Sequence, residues 1–199
     1  MNFIGNTTRC AALTALLFAA MPASGLAEET RDLQHRQLAE ALLDGQRAEQ
    51  AAGTARAQRL QRAALKLAAL GARPVEGEDD LAEAWLARAG ELGARAPKNI
   101  PDRGRVLGPS YKRVRLSATS PVETTQLFLA GTQARITLVT PAKGDAHLQV
   151  RAPDDTVACQ VASTPDGREC SWLPLYTQRY RLDLKSPRAK WVDAFVIVN

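Results

Sequence analysis

Arg113-Val114-Arg115-Leu116-Ser117-Ala118 changes from polar to apolar at every step, and that period of two decides how the second half of the chain must fold. Successive side chains of an extended chain point to opposite faces, so Val114, Leu116 and Ala118 share one face and Arg113, Arg115 and Ser117 the other. Further short runs of the same kind follow at residues 126–130, 134–140, 147–152, 157–161, 170–173, 179–184 and 191–198. Turn-forming residues stand between them: Ala130-Gly131, Lys143-Gly144-Asp145, Pro153-Asp154-Asp155, Pro165-Asp166-Gly167 and Ser186-Pro187. About eight short strands punctuated in this way predict an antiparallel β-sandwich or jelly roll over residues 111–199.

Moving toward the N-terminus, residues 97–110 hold Pro97, Pro101, Gly104, Gly108 and Pro109 with few apolar residues, which is the composition of a linker. Upstream of it the pattern changes. Between Glu28 and Pro74 the only strongly apolar residues are Leu and Ala, set among Gln, Arg and Glu, and these are helix formers. Leu38, Leu42, Gly45, Ala48 and Ala52, and then Leu60, Ala64, Leu67 and Leu70, recur at spacings of three and four and give a narrow stripe. Gly45 and Gly53 weaken the first helix. A break is expected at Gly53, with Thr54 capping the next helix and Gly71 and Pro74 stopping it. A third helix should start after Glu78-Asp79-Asp80, where acid meets the positive end of the helix dipole, and line up Leu81, Trp85, Ala89 and Leu92. The expected fold is therefore α+β, with an N-terminal helical hairpin of two or three helices (28–96), a linker (97–110) and the β-sandwich (111–199).

Residues 1–27 read as a removable export signal: Arg9 precedes the apolar run 11–20, and Gly25-Leu26-Ala27 supplies small residues for a cut before Glu28. The run is too short to span a bilayer, which takes about 20 apolar residues, and no later segment approaches that length. A periplasmic or secreted location follows as the expectation. Removal of the leader, with its Cys10, leaves Cys159 and Cys170, 11 positions apart on either side of Ser163-Thr164-Pro165-Asp166-Gly167, and an oxidising compartment predicts a disulfide between them. The composition, 45 % hydrophobic and 24 % charged, excludes collagen-like, disordered and multi-span membrane classes. Charge is uneven, net −2 over residues 28–96 and +6 over 97–199. Such an excess favours acidic partners but is mild.

The order of pieces Phe128-Leu-Ala-Gly131, Ala134-Arg-Ile-Thr-Leu138, Gly144-Asp145-Ala-His-Leu-Gln-Val150, an Asp-bearing turn, a cysteine pair and Tyr180-Arg-Leu-Asp-Leu184 resembles the bacterial pre-peptidase C-terminal domain over about residues 111–199. The resemblance implies a secreted, non-catalytic β-sandwich of the kind appended to exported proteins, some members of which bind calcium or matrix polymers. The chain departs from the family in having no peptidase domain beside it and fewer acidic residues after Gly144, so no calcium-ligand set carries over.

Catalysis would need a nucleophile with a base, a carboxylate pair or a metal site. The sequence holds two histidines, His35 among Gln34 and Arg36 and His147 at the start of a strand, and neither belongs to a Gly-x-Ser-x-Gly, His-Glu-x-x-His or phosphate-loop motif. Both read as solvent-facing. Asp145, Asp154 and Asp155 are oxygen donors of the type calcium takes, but Pro153-Asp154-Asp155-Thr156 is equally a self-bonded turn. Turn chemistry is the expectation, with no metal and no cofactor. Arg113 and Arg115 on one strand, with Arg179 and Arg181 on another, would hold carboxylates, sulfates or phosphates if those strands were neighbours; Asp183 and Glu123 nearby offer the plainer role of a solvated face. Trp172 and Trp191 are either core or a sugar platform. Without interleaved surface aromatics, nucleic acid is not expected. The reading is an exported, non-catalytic binding or accessory protein that recognises a protein or polysaccharide of the cell envelope through its sandwich face or its helical stripe. The stripe could instead seal a homodimer. The alternative is a small periplasmic hydrolase with His147 in a cleft between the two halves.

Overall fold

The computed structural model describes residues 24–53, 55–99 and 108–198. Most of the expected leader, Thr54 with its expected capping role, and residues 100–107 of the expected linker lie outside the described residues.

Three helices come first: α1 (Ser24–Gln50), α2 (Ala55–Ala69) and α3 (Leu81–Glu91). The break between α1 and α2 falls at Gly53, whose φ of 86° is a left-handed conformation that glycine adopts without steric cost. Gly45, in contrast, does not interrupt α1. A Cβ there would lie 2.1 Å from Cη2 of Trp85, so glycine is needed to seat the indole of α3 against α1. α2 ends as expected at Gly71, where Ala72 N–H reaches back to the Leu67 carbonyl (3.1 Å). Asp80 caps α3 by accepting from the Ala82 and Glu83 N–H groups. Trp85 and Ala89 are buried along α3, whereas Leu92 sits past its end and is exposed.

Nine strands follow the order of the chain: β1 (Arg73–Pro74), β2 (Ser110–Leu116), β3 (Val122–Phe128), β4 (Ala134–Val139), β5 (His147–Arg151), β6 (Val157–Ala162), β7 (Arg168–Trp172), β8 (Gln178–Lys185) and β9 (Val192–Val198). Eight of them occupy the expected sandwich region. β3 starts four residues earlier than the sequence suggests, because Thr124 and Gln126 stand part-buried on the face of Phe128 while Leu127 is on the exposed one, which leaves no apolar alternation to read. The two-residue β1 pairs parallel with β2 and has no sequence signal.

The strands form a five-stranded sheet, β1-β2-β9-β4-β7, and a four-stranded sheet, β3-β8-β5-β6. After β2 the chain changes sheet at every connection except β5–β6, so most of the expected turns are crossings between layers. The last two strands, β8 and β9, occupy interior positions, each between two earlier strands.

The helices pack on the outer face of the five-stranded sheet. Leu38, Leu42, Leu60, Leu67 and Trp85 share one apolar cluster with Tyr111, Val139, Phe195 and Ile197. Val114, Leu116, Ile136, Leu138, Ala194, Val196 and Val198 point the other way, into the space between the sheets, where Leu148, Leu182 and Leu184 meet them. The result is three layers, with one sheet covered on both faces. The helical stripe that could have sealed a homodimer is spent on this packing. No helix among the described residues is long and apolar enough to cross a membrane.

Cys159 on β6 and Cys170 on β7 form the expected disulfide, with Cα atoms 5.8 Å apart. Each strand is the edge of its own sheet, so the bond joins the two sheets at their margin.

Candidate functional site

The four arginines that would form one patch if their strands were neighbours are divided. β2, with Arg113 and Arg115, is in the five-stranded sheet; β8, with Arg179 and Arg181, is in the four-stranded sheet. Alternation set the facing of each pair correctly, but adjacency is a property of topology that period two does not carry.

Arg113 lies under the helices. It donates to Glu49 of α1 (3.1 Å) and to Asp193 of β9 (3.1 Å), and Glu49 also accepts from Trp85 Nε1 (2.7 Å), so α1, α3, β2 and β9 meet in one network. Burial alone would lower the Arg113 pKa, but Glu49 and Asp193 outweigh it and raise the guanidinium above its ordinary value. Arg115 is exposed and stacks over Trp191, 5.5 Å from the ring centroid; Trp191 is itself 55 % exposed. On the opposite side of the molecule Arg181 donates to Asp155 (2.7 Å), which raises its pKa, and it shares Asp183 with Arg151. This is the solvated face of cross-strand pairs, not a cluster of free cations.

The cleft required by a hydrolase is not where His147 is. His147 is exposed on β5 of the four-stranded sheet, while the helices cover the other sheet, so the sandwich separates it from the helix–sheet junction. At that junction a groove of about 220 Å³ is lined by Asp32, His35, Thr137, Asp166 and Glu169. His35 is 6 % exposed, contrary to the solvent-facing expectation; its Nδ1 shares a hydrogen bond with Thr137 Oγ1 (3.2 Å) that fastens α1 to β4. Arg135 beside it, 8 % exposed, reaches Asp32 (3.3 Å) and Glu169 (3.8 Å). Both polar ties hold α1 to the sheet.

The three weighed aspartates point to separate partners. Asp154 accepts from the Thr156 N–H (3.1 Å), the self-bonded turn that was expected, and this bond holds its carboxyl below the usual range. Asp155 meets Arg181, and Asp145 meets Arg188 (2.8 Å). Among the described residues no three His, Cys, Asp or Glu side chains converge to hold a metal.

A different region has the character of a contact surface, and the sequence reading missed it. The β3–β4 and β7–β8 loops lie side by side at one end of the sandwich, joined by Gly131 N–H to the Pro174 carbonyl (3.0 Å) and Ala130 N–H to Thr177 Oγ1 (3.0 Å). They raise Leu129, Leu173, Leu175 and Tyr176 into solvent, the last two 79 % and 71 % exposed. Beneath them Phe128, Trp172 and Tyr180 pack edge to face and tilted, with centroids 4.8 to 5.8 Å apart. A mostly apolar cleft of about 450 Å³ opens between this aromatic base and the start of β6, lined by Asp154, Ala158, Trp172, Leu173, Tyr176 and Tyr180 among others. The signal was present in the sequence. Residues 128–134 and 172–178 contain no Asp, Glu, Lys or Arg, in a chain 24 % charged.

No family model matches the chain, and no curated relative does. Among solved structures it is similar to Aeromonas hydrophila PliG, a periplasmic lysozyme inhibitor of g-type lysozyme, at 16 % identity and a TM-score of 0.36 over 46 % of this chain and 84 % of that one. It is also similar to the Yersinia pseudotuberculosis-derived mitogen, at 8 % identity and a TM-score of 0.38 over 47 % of this chain and 86 % of that one.

Proposed function

We propose that the chain is an exported, non-catalytic binding protein that docks onto a protein partner through the uncharged end of its sandwich. The observation that carries this reading is the pair of charge-free loops presenting Leu129, Leu173, Leu175 and Tyr176 over the Phe128–Trp172–Tyr180 base. Interface cores are depleted of charge and enriched in aromatics, and monomers rarely leave such a contiguous patch open without use. A rigid base beneath the exposed side chains also lowers the entropy lost when they are fixed in a complex. The motif order that resembles the pre-peptidase C-terminal domain supports the same reading, and the disulfide suits an oxidising location.

The test compares the wild-type chain with Leu175→Asp/Tyr176→Asp and with Arg115→Glu, on another face, as immobilised baits in envelope extract. A protein retained by the wild type and by Arg115→Glu, and lost with the loop variant at unchanged melting temperature, supports the reading. Equal retention by all three removes it. Retention of polysaccharide lost only with Arg115→Glu would transfer the function to the Arg115–Trp191 surface.

A further inference from the structure

The surface of α2 works against the helix it belongs to. Its 15 residues carry Arg56, Arg59, Arg62 and Lys66 and no Asp or Glu. Arg56 stands in the first turn, where the positive end of the helix dipole favours acid. Arg56 and Arg59, Arg59 and Arg62, and Arg62 and Lys66 are three or four residues apart, so neighbouring side chains on the helix surface repel each other. The net charge of −2 over residues 28–96 conceals this local excess. α2 is held by its buried face of Leu60, Ala63, Ala64 and Leu67.

Little outside the helix neutralises the repulsion. Lys66 meets Glu40 (3.6 Å) and Asp44 (3.9 Å) of α1, and Arg47 meets Asp44 (3.6 Å), all exposed pairs of the kind that contribute little. Arg56, Arg59 and Arg62 have no ion-pair partner among the described residues. A groove of about 230 Å³ opens between α1 and α2, lined by Asp44, Arg47, Arg59, Arg62, Ala63 and Lys66, so that four cations face one carboxylate. From Arg56 to Lys66 the helix rises about 15 Å, which makes the cations a strip and not a pocket for one anion.

We infer that this strip binds an acidic polysaccharide, whose repeated anionic groups lie along α2 and enter the groove at Arg47, Arg59, Arg62 and Lys66. Guanidinium groups suit carboxylates, sulfates and phosphates because they donate two parallel hydrogen bonds. The surface does not suit other polyanionic partners. No apolar side chain of α2 larger than alanine is exposed to enter a bilayer. No aromatic residue lies within 55–69 to stack on a base, and a face this charged lacks the apolar centre of a protein interface. The strip belongs to the helical layer and the charge-free loops to one end of the sandwich, so the inference stands apart from the protein docking proposed there.

The probes are alginate, dextran sulfate and uncharged dextran, each immobilised and presented at low salt to the oxidised full chain. Both acidic polymers should retain the chain and dextran should not, and added salt should release it. Arg59→Gln/Arg62→Gln should weaken retention roughly tenfold or more, the loss expected for two charge-assisted hydrogen bonds. Its melting temperature should stay equal or rise, because the like-charge neighbours are gone. Lys143→Gln/Lys185→Gln removes the same charge from exposed positions of the sandwich and should change retention little. Equal weakening by the two variants would return the effect to net charge and overturn the site, as would failure of both acidic polymers to retain the wild type. A lower melting temperature of Arg59→Gln/Arg62→Gln would show that the arginines serve the fold, and that also overturns the inference. Binding to phosphatidylglycerol vesicles without retention on either acidic polymer overturns the polysaccharide in favour of a membrane surface.

Discussion

The two sheets are built from similar residues and experience different surroundings. In the five-stranded sheet every residue of β4 and the last five of β9 are buried, because helices lie on one face and the second sheet on the other. In the four-stranded sheet β8 alternates buried and accessible positions along its length, because its outer face meets water. The difference explains two textures of sequence. Strands covered on both sides become nearly continuous apolar runs, as in Ala194-Phe-Val-Ile-Val198, and strands covered on one side keep the period of two, as in Arg179-Tyr-Arg-Leu-Asp-Leu184. It also separates surroundings: the covered sheet has a packed layer on each face, and the open one keeps a face in water.

The comparison breaks most visibly at Phe195. Phe195→Ala empties a fully buried position under the helices and should cost about 3–5 kcal/mol, whereas Leu127→Ser on the outer face of the open sheet should stay within about 0.5 kcal/mol. Urea denaturation of the two variants measures the contrast; equal losses would mean that the helices contribute no core to the sheet.

Next comes the bond between the sheets. Cys159→Ser/Cys170→Ser should lower stability by about 3 kcal/mol, or roughly 6–12 °C in melting temperature for a domain of this size. Reduction of the wild type should reproduce the shift, and a melting curve unmoved by reductant would deny the bond its structural role.

Gly45→Ala is a finer test of the covered side. Alanine gains about 1 kcal/mol of helix propensity, but its Cβ meets the Trp85 ring, and overpacking of this kind costs about 1–3 kcal/mol. A more stable Gly45→Ala protein would show that the indole does not sit in the glycine notch.

The smallest effect belongs to the open side. Asp154 titrates below its unfolded value, so its contribution is present above the unfolded carboxylate pKa and is lost as pH falls through the folded one. Asp154→Asn should lower stability slightly at neutral pH and flatten the acid limb of the curve below about pH 4, where the wild type has already lost the contribution. An identical acid limb would show that the Thr156 amide does not hold the carboxylate in solution.

Much of this architecture was legible because it is local. Gly53, Gly71 and Asp80 mark helix ends by backbone chemistry that acts within a few residues, and Arg113 to Leu116 announces a strand by the pleat alone. The division of β2 and β8 between different sheets, the burial of His35 against Thr137, and the conversion of Gly45 into a seat for Trp85 depend on residues 40 to 102 positions away, and a single sequence does not encode such pairings in any period. The candidate contact end was overlooked for another reason. It consists of an absence of charge in two loops far apart in the chain, and that absence becomes a surface only when Gly131 meets Pro174.

The central placement of β8 and β9 has a consequence for how the molecule is made. Neither sheet can close around a gap, so β3 waits for its neighbour until residue 178 arrives, and β2 and β4, each paired on one side with β1 and β7, wait for the strand between them until residue 192. The cysteines precede both and are free to oxidise while the layers are still incomplete. A ribosome that stalls before residues 192–198 are made would therefore release an unassembled chain, tied at one margin, and closure of the sandwich is in effect withheld until β9 is complete.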